Sequence, residues 1–192
     1  MDIVELKTPI RLEDIRSLNI GDIIYLTGTL ITARDGAHRR LLKLIKSNER
    51  LPLDFDGKAL YHCGPIVRKN DNSWEVLSAG PTTSYRMEGI EHEIIKYTGV
   101  RVVIGKGGMG PLTEMACRQY GAIYCSFTGG AGLIAAQSIK RVKTVHWLDL
   151  GIPEAMWVFE IERFGPLVVS IDSKGNNLNS LVLNEARSII KI

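Results

Sequence analysis

Apolar positions along this chain change their period near the middle, and the change predicts its architecture. In the first third, β-branched and aromatic residues run from Asp22 to Thr27 and from Thr29 to Thr32, broken only by Gly28. That pattern predicts one bent strand or two short ones. Asp35 stands where an N-cap would, and behind it Ala37, Leu41, Leu42, Leu44 and Ile45 recur at helical spacing. Arg39, Arg40, Lys43 and Lys46 give that helix a solvated opposite face. Ala59–Cys63, ending at Gly64-Pro65, and Trp74–Ser78, ending at Ala79-Gly80-Pro81, read as short strands. Beyond residue 99 the runs become continuous. Val100–Ile104 is apolar enough for a strand covered on both faces. A glycine loop from Gly105 to Gly110 leads to a helix from Pro111 through Tyr120, with Gly121 in the C′ position. Ala122–Phe127 is the next strand, and Gly129-Gly130-Ala131-Gly132 opens a helix to about Lys140. Strands are expected at Thr144–Leu148, Met156–Ile161 and Leu167–Ile171. Strand, glycine loop and helix, repeated, make a parallel α/β unit with right-handed crossovers. The expectation is a single α/β domain over residues 1–192 with a β-rich front section.

Composition narrows the function classes. A chain of 192 residues with 45% apolar and 23% charged residues can bury roughly 70% of its unfolded surface without staples. Its 19 glycines cluster without a period, which excludes collagen, and plentiful apolar residues exclude disorder. Lys and Arg number 24 against 21 Asp and Glu, a net charge of +3, too weak for a dedicated nucleic-acid binder. The basic run from Arg39 to Arg50 has no interleaved aromatics and reads as a solvated face. The start of the sequence shows no signal-peptide pattern, and no apolar run approaches the roughly 18 residues of a membrane span. Cys63, Cys117 and Cys125 form neither a disulfide framework nor a CxxC pattern, which suits a reducing cytoplasm. Cys117 and Cys125 are expected as core thiols, as are Trp147, Trp157 and Tyr97 as core or interface.

Three loops at expected strand ends carry cations or hydroxyls. Thr32-Ala33-Arg34-Asp35 enters the first helix, Gly80 to Met87 follows a strand, and Gly105-Lys106-Gly107-Gly108 follows Val100–Ile104. Free backbone amides at such ends can bind an anion. The third loop matches G-x-G-x-x-G at Gly105, Gly107 and Gly110, but no acid lies about 20 residues further on to hold a ribose. Arg34, Arg86 and Lys106 together suit a small polyanion such as a dicarboxylate, since arginine grips carboxylates bidentately. Three unrelated surface charges are the plainer alternative. His38 falls one turn into the first helix, where it either orients Arg34 or touches substrate, or faces solvent. His62, His92 and His146 show no metal-ligand spacing, and no metal site is expected.

Several segments together resemble one family: TGTLITARDGAHRRLL from Thr27, YHCGP (61–65), GPTTSYRM (80–87), GKGGM (105–109) and FGPLVVSID (164–172). They are similar to the C-terminal domain of class I, iron–sulfur-dependent fumarate hydratases, which also occurs as the beta subunit of two-component fumarases and L-tartrate dehydratases. The resemblance implies a swivelling β/β/α three-layer domain with a parallel and an antiparallel sheet. It implies a hydro-lyase subunit for the dehydration of (S)-malate to fumarate, or alternatively of L-tartrate, inactive without an alpha subunit. That partner would carry the [4Fe–4S] cluster, one iron open to the substrate hydroxyl, so this chain itself would bind no cofactor. The assembly would be a hetero-oligomer, with a homodimer as the alternative. Carried over residue by residue, Arg34, Arg86 and Lys106 bind substrate carboxylates with Thr83, Gly105 and Gly107 beside them, and Thr82 is the base. The hydroxyl doublet leaves Thr83 as the alternative base. A different class of function stays open on the residues alone: a non-catalytic anion- or nucleotide-binding module.

Overall fold

A computed structural model of the chain describes residues 2–71 and 73–190. Among the described residues nine strands run β1 Ile3–Lys7, β2 Ile23–Thr32, β3 Ala59–Tyr61, β4 Ile66–Asn70, β5 Ser73–Ser78, β6 Val102–Gly105, β7 Ile123–Ser126, β8 Ile139–His146 and β9 Met156–Ile171. The helices are α1 Leu12–Arg16, α2 Asp35–Lys46, α3 Glu88–Thr98, α4 Pro111–Tyr120, α5 Gly132–Gln137 and α6 Leu178–Ile190. A seven-stranded mixed sheet has the order β1-β2-β3-β6-β7-β9-β8, and β4 and β5 form a separate antiparallel pair. Strands β2, β3, β6 and β7 are parallel to one another. Antiparallel to them, β9 pairs with both β7 and β2, so the pairings β2–β3–β6–β7–β9–β2 close into a ring.

Side-chain alternation sorts the parallel strands onto two cores. Tyr61, Val102, Ile104, Ile123 and Cys125 point into one cluster with Phe127, Trp157, Phe159 and Phe164. Their neighbours Leu60, Val103 and Tyr124 point the other way, against Ala37 and Leu41 of α2, Ile94 and Ile95 of α3, and Ala116 and Cys117 of α4. Period-two burial on both faces explains why these strands read as continuous apolar runs. A helical layer thus covers one face, and β8, β9 and the β4–β5 pair lie towards the other core.

Of the two readings of Gly28, the single bent strand is the one found: β2 continues through it, at φ +117° with shifted register against β9; a side chain there would collide with Thr8 Oγ1. Other boundaries differ from expectation. Instead of reaching Lys140, α5 ends at Gln137, and β8 starts at Ile139 rather than Thr144. The two strands expected at Met156–Ile161 and Leu167–Ile171 are one 16-residue strand whose register against β2 shifts between Phe164 and Leu167. Its first half pairs with β8 and its second with β7 while β2 runs along both, which a local pattern does not reveal. Trp157 is fully buried, whereas Tyr97 stands 53% exposed with the Lys96 ammonium 4.7 Å from its ring. All three cysteines are buried.

Candidate functional site

The three loops lie side by side at the carboxyl ends of β2, β3 and β6, because backbone hydrogen bonds continue the sheet past its last residues. Ala33 N–H donates to the Tyr61 carbonyl at 3.0 Å, and His62 N–H to that of Ile104 at 2.8 Å. Thr82 N–H donates to the His62 carbonyl at 2.7 Å, and Ser84 N–H to that of Lys106 at 3.1 Å. Thr83 and Lys106 form an isolated parallel bridge. The second loop is thereby threaded between the other two.

Each cation has a distinct setting. Arg86 grips Asp35 through two hydrogen bonds, at 3.1 and 2.9 Å, and its Nη2 also donates to Thr82 Oγ1 at 2.9 Å. Burial opposes ionisation of Asp35, yet the Arg86 hydrogen bond and charge hold its carboxyl below the ordinary range. Asp35 is therefore not the N-cap of α2. Arg34 occupies that position without a side-chain cap bond, and Glu154 takes the cap role by accepting the Gly36 N–H at 2.6 Å. The same carboxylate lies 3.3 Å from Arg34 Nε, an ion-pair contact whose angle does not make a hydrogen bond. Lys106 is exposed and has no ion pair among the described residues; its aliphatic stem passes Gly129, where a Cβ would stand 3.0 Å from Lys106 Cδ. Gly107 has φ +77°, and its carbonyl accepts from Tyr124 Oη at 2.9 Å and Ser126 Oγ at 3.2 Å. Three cations against two carboxylates leave a net positive rim; Asp35 holds Arg86 in fork geometry, whereas Glu154 meets Arg34 only at Nε.

Beneath this rim lies a polar cluster that spacing did not reveal. His38 and His62 are fully buried, and the Nε2 of each is 2.9 Å from Glu91 Oε2. The surface position entertained for His38 is thus excluded: α2 turns it inward onto α3. The other ring nitrogen of His38 is 2.9 Å from the Arg34 carbonyl, and that of His62 is 2.9 Å from Ser84 Oγ. Ser84 Oγ in turn accepts the Lys106 N–H at 3.0 Å. Burial alone would raise the Glu91 carboxyl, but hydrogen bonds and charge from the two histidines hold it down to about 2. Against the pull of burial, Glu91 and the Arg34 carbonyl raise His38; burial, joined by the neighbouring His38 charge, lowers His62. Glu91 Oε1 has no hydrogen-bond partner among the described residues. Ligand atoms of His38, His62 and Glu91 lie within 4.8 Å of one another, near enough to hold a metal ion. Hydrogen bonds account for the same atoms. His62, Ser84, Glu91 and Glu154 escaped sequence reasoning; the only signals were the first two lying inside YHCGP and GPTTSYRM.

The cysteines do not fit an iron–sulfur cluster. Cys63 and Cys125 belong to one core and Cys117 to the other, and burial pushes all three thiols up, away from the thiolate a cluster needs. A cleft of about 500 Å³ lies against α4, lined by Glu114, Met115, Arg118 and Lys174 among others, and includes none of the candidate site residues. Packing around Gly105 gives a direct test of the geometry. A Cβ there would collide with Ser84 Oγ and stand 3.0 Å from His62 Nδ1. Gly105→Ala should therefore destabilise the chain by about 1–3 kcal/mol, visible as a drop in Tm of roughly 2–4 °C per kcal/mol. An unchanged Tm would show that the Gly105–Ser84 contact is looser than described.

Three cations gathered at the ends of parallel strands give this α/β domain a positive rim at the edge where such folds carry their ligands. The chain belongs to the fumarase C-terminus family, whose model matches residues 1–182. It is 53% identical over 173 residues to the L(+)-tartrate dehydratase subunit beta of Escherichia coli, covering 90% of this chain and 85% of that one. A protein of Methanocaldococcus jannaschii provisionally named a beta subunit of the same enzyme is 46% identical, with 86% of each chain covered. A protein of Geobacillus stearothermophilus, provisionally named a class I fumarate hydratase, is 42% identical over 92% of this chain but only 34% of its own length.

Proposed function

We propose that this chain is the beta subunit of a two-component hydro-lyase that removes water from a small hydroxy-dicarboxylate. One observation carries the reading: in a chain of this family, the Arg34, Thr82–Arg86 and Lys106 loops meet at one sheet end. (S)-Malate to fumarate is the reaction the motifs point to. L-Tartrate is the second reading, favoured by the names of the two beta-subunit relatives. The swivelling three-layer description and a cytoplasmic location go with the same reading. The rim supplies cations and hydroxyls, with Asp35 and Glu154 engaged by its own arginines, and the long Geobacillus relative suggests that the rest of the enzyme is a further domain, here a separate alpha subunit. This reading assigns the [4Fe–4S] cluster to that partner. Tyr85, Leu133 and Ile134, exposed beside the loops, suit the partner face.

Dehydration breaks a C–H bond on one carbon and a C–O bond on the next. The carbon acid is weak, so the chain's task is to stabilise charge developing on the adjacent carboxylate. Arg34, Arg86 and Lys106 would bind the two carboxylates and fix their orientation. Thr82 would take the carbon-bound proton. A threonine hydroxyl is a weak base unless a nearby cation stabilises its ionised form, and the Arg86 Nη2 contact offers that stabilisation. Asp35 keeps the Arg86 fork aimed.

Co-expression with the alpha subunit under anaerobic conditions, then assays on malate and tartrate, tests the reading. The complex should dehydrate at least one; the chain alone, even after reconstitution with iron and sulfide, should dehydrate neither. Turnover by the isolated chain would refute the two-component reading. In the active complex, Arg86→Lys keeps the charge but loses the fork, so KM should rise and kcat fall together. An unchanged KM would remove Arg86 from substrate binding.

A further inference from the structure

All four side chains of the chain from His38 through Glu91 and His62 to Ser84 are fully buried, and they reach all three loops of the rim. His38 touches the first through the Arg34 carbonyl, Ser84 belongs to the second, and its hydroxyl holds the Lys106 amide of the third. We propose that His38, Glu91, His62 and Ser84 are positioning residues, a buried hydrogen-bond chain that locks the three loops in one register for a dicarboxylate. The dicarboxylate rests on the function proposed above; the locking does not.

Proton placement follows from donor and acceptor chemistry. A carbonyl only accepts, so His38 Nδ1 carries a hydrogen for Arg34. An ionised Glu91 only accepts, so the Nε2 atoms of both histidines carry hydrogens. His38 is then an imidazolium and Glu91 a carboxylate, a buried pair with compensating charges. A second charge on the buried His62, 5.1 Å from the His38 ring, is disfavoured, so His62 keeps a bare Nδ1 and accepts from the Ser84 hydroxyl. Ser84, its hydrogen so committed, turns a lone pair to the Lys106 N–H. Every link has one direction, so the position of the Lys106 amide is set by a charge pair reached through His62 and Ser84. Residues at 38, 62, 84 and 91 sit on α2, after β3, in the second loop and on α3, so the same chain ties the helical layer to the rim. A site that must hold cations apart from one another gains from such a tie, because a displacement of about 1 Å at reacting groups can cost on the order of 10²-fold in rate.

Nitrogen-15 spectra of the histidine-labelled full chain test the proton order without reference to any substrate. The expected result is one histidine protonated on both nitrogens, assigned to His38, and His62 protonated on Nε2 alone. A neutral His38, or His62 carrying its hydrogen on Nδ1, would overturn the proposal. So would a stoichiometric metal that leaves with chelators and takes these signatures with it. Amide exchange then tests the locking. Ser84→Ala and His62→Gln should each speed exchange of the Lys106 amide by about tenfold or more. His62→Asn, which keeps an acceptor near the Nδ1 position, should restore protection. Wild-type exchange at Lys106 in both of the first two variants would also overturn it. In the complex, Ser84→Ala should raise KM more than it lowers kcat, whereas a purely structural role would lower the folded fraction and leave KM alone. If the complex dehydrates neither malate nor tartrate, the proposed function falls while the spectra and the exchange data still decide the network.

Discussion

Thr82→Val should lower turnover of the reconstituted complex by about 10²–10⁴, the usual scale for removing a general base, with substrate binding nearly intact. Valine preserves the shape of threonine and removes the hydroxyl that accepts the Arg86 Nη2 hydrogen bond. Exchange of the substrate's carbon-bound proton with solvent should disappear with it, and that is the measurement that separates proton transfer from binding. Thr83→Val is the paired control. Thr83 is exposed and joined to Lys106 through the backbone bridge, so its loss should be mild. If the Thr83 variant is dead and the Thr82 variant active, the base is one residue further along. If both are active, the doublet only shapes the turn after Pro81, and the base comes from the partner chain.

Glu91→Ala should be the most destabilising single change in the site, at about 3–5 kcal/mol, because it leaves the buried His38 charge without its partner. For a chain of this size that corresponds to a fall in Tm of roughly 6–20 °C. Glu91→Gln keeps the volume and should cost less. The pH dependence has a definite sign. Glu91 is held at about 2 against a usual 4.5, so its contribution, about 3 kcal/mol at 1.36 kcal/mol per unit, is present above 4.5 and lost as pH falls towards 2. His38 is raised above 6.5, so its contribution is full below 6.5 and lost as pH rises through the elevated value. Wild-type Tm should therefore peak between these limits, and Glu91→Ala should flatten both flanks. A Tm profile unchanged by the substitution would contradict the ion pair.

Legibility varied with the range of the physics involved. Strands β6 and β7 were readable because burial on both faces leaves an unbroken apolar run, and α4 because Pro111 and Gly121 punctuate it. Helix α3 was not: its buried face includes Glu88 and Glu91, charged residues that break the apolar stripe because they serve partners in other elements. Glu88 accepts amide hydrogens from Gly110, Leu112 and Thr113 at the start of α4. Strand β9 was split in expectation because Gly165-Pro166 reads as a turn, and its continuity is enforced by β2, 127 to 145 residues away.

By itself, the sequence determined the parallel α/β unit, the three cation-bearing loops with Arg34, Arg86 and Lys106, and the family. Those rest on local periodicity, on glycine and proline punctuation and on contiguous motifs, all of which are written within a few residues of each other. Only the tertiary structure decided that Asp35 holds Arg86 instead of capping α2, that Glu154 takes over the cap, and that His38, His62 and Glu91 share one buried oxygen. These are contacts between residues 24 to 118 positions apart; a charge finds its partner wherever the fold brings one, most strictly where it is buried, and no local pattern records that search.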